Sequence, residues 1–335
     1  MSRLRTAVIG VGAIGSLHAR IYAQHPQCEL VALVDSRVER AEALARELGC
    51  AAYATVEAML AAERLDLASV ATPEQFRYDP AVACARAGIN LLLEKPLASA
   101  LEGTDQLISA VEASGVRATV NFILRSDIRY QAAQEQVSSG RIGEVCTIFA
   151  RRRGTSLGAE IYGPWTDLLT STAIHDIDAM AWINSSPIER VFAEGVVKRC
   201  AEWGHEDAVV ATFRFANGAV GILETSWVMP PTLPPGLDAA FQLAATGGAV
   251  EIAGGNYGLS VLTADGYRLP DLGNWPTLRS GIGGALQANL AAVVRALLVG
   301  GDMPISLQEA RTAHAVVTAL KQSLAEARPI VLAGR

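Results

Sequence analysis

Thr6-Ala7-Val8-Ile9 runs directly into Gly10-Val11-Gly12-Ala13-Ile14-Gly15, and the reading of that junction decides the fold. A short β-prone run ends in three glycines at G-x-G-x-x-G spacing, and apolar residues at helical spacing then continue from Ile14 to Gln24. Each glycine has a physical task at such a strand–turn–helix junction. Gly10 permits the tight turn, Gly12 lets a pyrophosphate approach the backbone, and Gly15 lets the helix pack closely on the strand. Ala13 and Ile14 complete the segment whose N–H groups face the phosphates at the helix N-terminus. The pattern alone is common, so its context matters. It follows a strand, it opens a helix, and Asp35 comes 20 residues after Gly15, behind a second apolar run, Leu30-Val31-Ala32-Leu33-Val34. These features predict a dinucleotide site. A carboxylate at Asp35 accepts hydrogen bonds from ribose hydroxyls and repels a 2′-phosphate, which favours NAD and leaves NADP as the alternative. Ser36 and Arg37 border the same site. Arg37 could stack on adenine, contact a phosphate if Asp35 turned away, or simply be solvated, and the sequence leaves these open.

The chain has 335 residues, half of them apolar, so two domains with a large core are expected. A net charge of −6 argues against a nucleic-acid footprint, and Arg151-Arg152-Arg153 reads as solvated or substrate-facing arginines on a strand. The five cysteines, Cys28, Cys50, Cys84, Cys146 and Cys200, are scattered without C-x-x-C spacing. Neither a disulfide framework nor a zinc site is expected, and mostly buried, reduced thiols are. Met1-Ser2-Arg3-Leu4-Arg5 leads into a strand without a signal-peptide pattern. The apolar stretch from Leu286 to Val299 is interrupted by Gln287, Asn289 and Arg295 and is too short to span a membrane. A soluble cytoplasmic protein is the expectation.

The first third alternates strand and helix patterns. Strands are predicted at Leu67–Ala71, Ile89–Leu93 and Val116–Phe122, and helices at Arg37–Leu48, Pro80–Ala87 and Ala100–Ala113. Apolar strands in repeated β-α-β order imply a parallel sheet covered on both faces. After residue 122 the rhythm changes. Ile128–Ser138 still looks helical. Alternating strands follow at Glu144–Arg152, Glu189–Lys198, Asp207–Phe215 and Ala219–Val228, and Asn217-Gly218 marks a hairpin between the last two. Phe241–Ala245, Ala249–Ile252 and Leu259–Thr263 extend the pattern, the segment 230–236 is a loop, and two helices close the chain at about Ala285–Leu298 and Leu307–Ala325. The predicted architecture is α/β: a doubly wound Rossmann domain over 1–122, then an α+β domain over 123–335 with a largely antiparallel, open sheet. The second domain is expected to bind substrate and to mediate oligomerisation.

Two further residues carry chemistry. Lys95, in Glu94-Lys95-Pro96, sits at the C-terminal end of a predicted strand, the edge where parallel sheets bind ligands, and Pro96 restricts its backbone. A surface lysine is the plain alternative. His175 lies in Ile174-His175-Asp176-Ile177-Asp178, and beside a nicotinamide its imidazole could accept a proton during alcohol oxidation. A structural histidine is the alternative there. A metal is not expected, since His175 and Asp178 lack a convincing third ligand. No G-x-S-x-G elbow supports hydrolysis.

Taken together, Gly10–Gly15, Ala71-Thr72-Pro73, Glu94-Lys95-Pro96 and Ile174-His175-Asp176-Ile177-Asp178 make the chain resemble the Gfo/Idh/MocA oxidoreductases, which include inositol and glucose dehydrogenases. The resemblance extends to Pro304-Ile305-Ser306 and Pro329-Ile330-Val331. It implies that Lys95 hydrogen-bonds the reacting hydroxyl and that His175 takes its proton, in a cleft between two domains. It implies that Ala71, Thr72, Pro73, Glu94 and Lys95 itself border the nicotinamide, and that Asn121 and Arg125 lie near the domain junction. Ser171, Asp178 and Trp165 complete the expected substrate set; Trp165 could stack on a sugar face or pack under its loop, and Tyr162 and Arg153 are similar candidates. His18 could lie near the cofactor or be an exposed helix residue, whereas Trp227 and Phe241 read as core or subunit contact. Two positions depart from the pattern: Ser171 stands where an aspartate is usual, and Arg77 where a histidine is.

The leading expectation is hydride transfer between NAD(P) and a hydroxyl-bearing carbon of a sugar, polyol or related small molecule, by a homodimer or homotetramer. The open alternatives are redox-neutral chemistry with tightly held NAD, and a non-catalytic NAD-binding sensor.

Overall fold

The computed structural model describes residues 3–332 apart from Pro235, Asn256 and Asp265. The N-terminal Met1 and Ser2, and Pro235 of the expected 230–236 loop, therefore lie outside the described residues. The chain divides into two compact units.

The first unit comprises the chain up to Ile123 together with Asn274–Arg311. Six strands, β1 (Leu4–Ile9), β2 (Cys28–Val34), β3 (Ala51–Tyr53), β4 (Leu67–Val70), β5 (Asn90–Leu93) and β6 (Ala118–Val120), form a sheet in the order β3-β2-β1-β4-β5-β6. Every adjacent pair is parallel. The connecting helices are α1 (Ala13–Gln24), α2 (Val38–Leu48), α3 (Val56–Ala62), α4 (Tyr78–Arg86) and α5 (Leu101–Ala113). Their sequences explain them. α2 buries Ala41, Leu44 and Ala45 on one face and ends at Gly49 in the left-handed conformation. Thr55 caps α3 by accepting the Ala58 N–H; at seven residues this helix is too short for periodicity to announce it. Chain order reverses between β1 and β4, so their C-terminal ends flank a switch point, the place where such sheets bind ligands.

The expectation of one continuous second domain over 123–335 needs correction, because Asn274–Arg311 belongs to the first unit. The cause is α9 (Gly284–Val299). Its Leu286, Leu290, Val293 and Val294 are buried in one cluster with Val8, Ile21, Tyr22 and Leu30 of the Rossmann sheet and α1. A helix this apolar must be buried, and the first core is where it is buried. Polar links fasten the same segment: the Thr119 hydroxyl donates to the Ile305 carbonyl at 2.8 Å, and Arg117 donates to the Ala296 carbonyl at 2.8 Å.

The second unit comprises Leu124–Gly273 and the chain from Thr312. Its sheet holds β7 (Val145–Thr155), β8 (Ile188–Val196), β9 (Ala208–Phe215), β10 (Val220–Met229), β11 (Leu237–Ala245) and β12 (Gly248–Ala253), with a short terminal strand at Ile330–Val331. The order is β12-β11-β7-β10-β9-β8 and then the terminal strand. The pairing of β7 with β10 is parallel and the others are antiparallel, so the sheet is mixed. The β9–β10 hairpin turns at Asn217-Gly218, where Gly218 has φ +89°. Along β9, Val209, Ala211, Phe213 and Phe215 are buried, while Val210, Thr212 and Arg214 face solvent. On the inner face pack α6 (Ile128–Ser138) and α8 (Ile174–Asn184), and α7 (Ser156–Tyr162) lies against β10 and β7. Tyr130 of α6 meets Phe241 of β11 with ring centroids 5.6 Å apart; Phe241 and Trp227 are core residues. The last helix, α10 (Leu307–Glu326), begins in the first unit and ends in the second.

The glycine turn makes a paired prediction. A Cβ on Gly15 would lie 1.8 Å from the Gly10 carbonyl oxygen, whereas a Cβ on Gly12 would meet nothing within 4 Å. Gly15→Ala should therefore cost about 2–4 kcal/mol of stability, and Gly12→Ala less than about 1 kcal/mol. Thermal or denaturant unfolding of the two variants checks this, and equal stabilities would refute the packing role of Gly15.

Candidate active site

At the first turn of α1 the backbone itself forms the site. Gly10 has φ +86°, and its α-carbon face lies so close to β4 that a Cβ would sit 2.8 Å from the Thr72 nitrogen. Gly12 caps α1 without a side chain, which leaves the first-turn N–H groups to an outside anion. A groove of about 510 Å³ opens beside it, lined by Val11, Gly12, Ala13, Ser16, Arg40 and Leu44 among others. Asp35, at the end of β2, is buried. Its Oδ2 accepts the Val11 N–H at 3.0 Å and its Oδ1 accepts the Arg37 N–H at 2.9 Å. Two backbone donors thus pin the carboxylate to the glycine turn, so the alternative in which Asp35 turns away for Arg37 to bind a phosphate does not fit. Ser36 and the Arg37 side chain are exposed beside it. A turn that opens at Gly12, closes at Gly10 and Gly15, and carries a fixed carboxylate 20 residues on fits a dinucleotide with free ribose hydroxyls.

The neighbouring edge is built on a buried carboxylate. Ala71 continues β4 by donating to the Ile9 carbonyl at 2.8 Å, and Thr72 and Pro73 follow, half-buried. Glu94 donates its N–H to the Val70 carbonyl at 3.1 Å and is itself buried. Asn121 Nδ2 donates to Glu94 Oε1, and Nε2 of His18 lies 3.4 Å from the same oxygen. Asn121 Oδ1 in turn accepts from Asn289 of α9 at 2.6 Å. Burial pushes the Glu94 carboxyl up, but the hydrogen bonds and charges of His18, Asn121 and Lys95 outweigh it and hold it below its usual range. The Lys95 N–H donates to Glu94 Oε2 at 3.3 Å, and Lys95 itself is half-buried at the strand end. The Lys95–Pro96 peptide bond is cis.

In the second unit, a π-helical turn over Leu169–Ala173, which carries Ser171, leads into His175 in the first turn of α8. Such turns occur often at functional sites. Ser171 and His175 are both half-buried. The flanking carboxylates are committed. Asp176 receives Arg152 Nε at 2.6 Å and Nη2 at 3.1 Å in a fully buried pair. Asp178 receives Arg125 Nε at 2.9 Å and Nη2 at 2.7 Å, so these two expected substrate residues form one ion pair, with Arg125 also 5.6 Å from the Trp182 ring centre. Asp167 accepts from Lys321 Nζ at 2.6 Å and from the Thr170 hydroxyl at 2.8 Å. Trp165 is 47% exposed, and its indole N–H donates to the Ile161 carbonyl.

Of the expected site residues, the structure gathers Gly10, Gly12, Ala13, Ile14, Gly15, Asp35, Ser36, Arg37, Ala71, Thr72, Pro73, Glu94, Lys95 and Asn121 on the C-terminal side of the first sheet. His175, Ser171, Asp178, Arg125 and Trp165 belong to the second unit. His18 is fully buried, which removes the exposed-helix alternative. Its partnership with Glu94, and the part of Asn289, were missed; a lone histidine on an apolar helix face and an asparagine inside an apolar helix were the available signals. Among the described residues no cluster of His, Cys, Asp or Glu is placed to hold a metal ion.

A glycine-turn nucleotide cradle on a Rossmann sheet, joined to a mixed-sheet second unit, defines a dinucleotide-dependent oxidoreductase. Comparison with known proteins agrees. Residues 4–122 match the oxidoreductase family model described as having an NAD-binding Rossmann fold, and residues 130–251 match the GFO/IDH/MocA C-terminal domain. The chain belongs to the Gfo/Idh/MocA oxidoreductase family. It is 32% identical over 254 residues to the D-glucoside 3-dehydrogenase of Escherichia coli K12, covering 68% of this chain and 71% of that one. It is 26% identical over 339 residues to an inositol 2-dehydrogenase of Rhizobium meliloti, covering 98% and 99%. Two solved structures share the fold: myo-inositol 2-dehydrogenase from Lactobacillus plantarum (TM-score 0.88, 20% identity, 99% of this chain and 100% of that one) and scyllo-inositol dehydrogenase from Lactobacillus casei with bound NAD(H) and scyllo-inositol (0.85, 18%, 98% and 99%).

The Glu94 network carries a pH signature. Its folded-state pKa lies below the usual 4.5, so its contribution to stability is present above pH 4.5 and is lost as pH falls through the lower folded value. Glu94→Gln should therefore be less stable than the parent at pH 7, and the gap should narrow below pH 4.5, as followed by thermal melts across that range. A gap independent of pH would contradict an ionised Glu94.

Proposed function

We propose that the protein oxidises a hydroxyl-bearing carbon of a sugar, polyol or related small molecule, with Lys95 and His175 as the catalytic residues. The observation that carries this is the position of Lys95, tied through its backbone to the buried Glu94 carboxylate on the same sheet edge as the glycine turn. NAD, when bound, accepts the hydride. Gly10, Gly12, Ala13, Ile14 and Gly15 hold its pyrophosphate, Asp35 its ribose hydroxyls, and Ala71, Thr72, Pro73 and Glu94 border its nicotinamide. Lys95 donates a hydrogen bond to the reacting oxygen and stabilises the charge that builds there. His175 removes the hydroxyl proton as the carbon loses hydride and the C–O bond becomes a carbonyl. Ser171 and Trp165 contact the substrate, while Arg125 and Asp178 act as a pair that shapes the site. Asp35, fixed by two backbone donors, selects NAD over NADP by repelling a 2′-phosphate. The substrate class is supported by the relatives named as glucoside and inositol dehydrogenases.

We propose also that the second unit is where copies of the chain associate and where specificity resides. The solvent face of its sheet exposes Val210, Val220 and Ile222 among half-exposed ion pairs such as Arg153–Glu224. No helix among the described residues is long and apolar enough to cross a membrane, and the cysteines are free thiols, which supports work in a reducing compartment such as the cytoplasm.

The test is absorbance at 340 nm with NAD or NADP and a panel of glucosides, inositols and sugar acids. Turnover is expected with NAD on one polyol or sugar class. Lys95→Ala should lower kcat by about a hundredfold or more while NADH binding, read by fluorescence, stays within about threefold. Full turnover in Lys95→Ala would overturn the assignment. NADH binding without turnover on any panel member would favour a redox-neutral or sensor function.

A further inference from the structure

Arg77 is a fully buried guanidinium that the reaction as described does not use. It lies in the turn between β4 and α4, at the N-cap of α4. Its Nη2 donates to the Thr72 carbonyl and its Nη1 to the Pro96 carbonyl. One carbonyl belongs to the loop after β4, and the other to the loop after β5, next to Lys95. A planar guanidinium holds two acceptors at a fixed spacing, which neither a lysine nor a neutral histidine can do. The negative charges of Glu94 and Glu74 favour its charged form and offset part of the cost of its burial.

The arrangement is costly for the fold. Nε of Arg77 is buried without a hydrogen-bond partner, and burial lowers the Arg77 pKa to about 10. A residue kept for stability alone would be better replaced by an apolar side chain. The resemblance from sequence places a histidine here, and this chain has instead a longer side chain with two diverging donors that reaches both loops.

We propose that Arg77 is a positioning residue for hydride transfer: a strut that sets the separation of the Thr72–Pro73 and Lys95–Pro96 backbones and thereby the placement of the Lys95 ammonium against the nicotinamide. The proposal rests on the assignment of Lys95 above. It concerns geometry at the reacting carbon, so removal of the strut acts on kcat and spares cofactor affinity, which the glycine turn and Asp35 supply. A misplacement of about 1 Å at a reacting group is enough to lower turnover about a hundredfold.

The experiment uses the full-length protein and the substrate found with the panel. Arg77→Ala and Arg77→Lys are compared with the parent for kcat, KM, NADH affinity and melting temperature, and for backbone amide exchange over 71–77 and 94–98. Both variants should lose about tenfold to a hundredfold in kcat while NADH affinity changes by less than about threefold. Exchange should rise in those two loops and not in β1 or α5. Millimolar guanidinium chloride, but not sodium chloride, should restore part of the lost kcat in Arg77→Ala. An unchanged kcat in either variant overturns the proposal. So does a loss in Arg77→Ala that follows the melting temperature and resists guanidinium. Should Arg77→Ala not fold, Arg77→Lys decides alone: parental kcat and parental loop exchange overturn the strut. Failure of the Lys95 assignment is read separately. In that case Lys95→Ala keeps full turnover while the loop exchange of Arg77→Lys still rises.

Discussion

The first unit is organised around one ionised carboxylate in an apolar sheet edge. Glu94 is buried between β5 and its neighbours, where an unpaired charge would cost several kcal/mol. The structure compensates with side chains from two directions, His18 from α1 and Asn121 from the end of β6, and Asn289 of α9 holds Asn121 in place. The carboxylate therefore requires the glycine-turn helix, the last sheet strand and the returning segment 274–311 to be assembled together. That is why a helix far along the chain belongs to the Rossmann core. It fills apolar volume with Leu286, Leu290 and Val293, and its Asn289 completes the polar network. Lys95 inherits its fixed backbone from this arrangement.

The second unit follows the same logic around the start of α8. Asp167, Asp176 and Asp178 are each matched to a cation, Lys321, Arg152 and Arg125 respectively. Burial pushes the Asp176 carboxyl above its usual value despite the Arg152 guanidinium, a sign of how little solvent reaches the pair. These pairs hold a π-helical turn against the helix that carries His175, and Trp227 adds a hydrogen bond to the Thr172 hydroxyl at 3.0 Å.

Much of this was legible in the sequence for local reasons. The glycine turn, Asp35 and the apolar strands announce themselves because their chemistry depends on residues adjacent in the chain. Asn217-Gly218 fixes its hairpin in the same way. What the sequence hid depends on long-range partners. Nothing near His18 says that it faces Glu94, and nothing near Asn289 says that it supports Asn121. The return of α9 to the first core was obscured because an apolar helix could have been buried in either domain. The parallel β7–β10 pairing in an otherwise antiparallel sheet follows from how hairpins are stacked, and alternation within each strand is blind to it. Arg77 was visible only as a departure from a pattern, and its two carbonyl partners came from the fold.

The most direct test of the central claim is a crystal structure of the protein with NADH and a bound polyol. The account predicts the pyrophosphate on the N–H groups after Gly12, both ribose hydroxyls on Asp35, and the nicotinamide against Thr72–Pro73 and Glu94, with Lys95 Nζ hydrogen-bonded to the polyol oxygen on the carbon nearest the ring. A nicotinamide seated elsewhere, or a Lys95 bonded only to protein groups while the polyol lies against the ring, would contradict it.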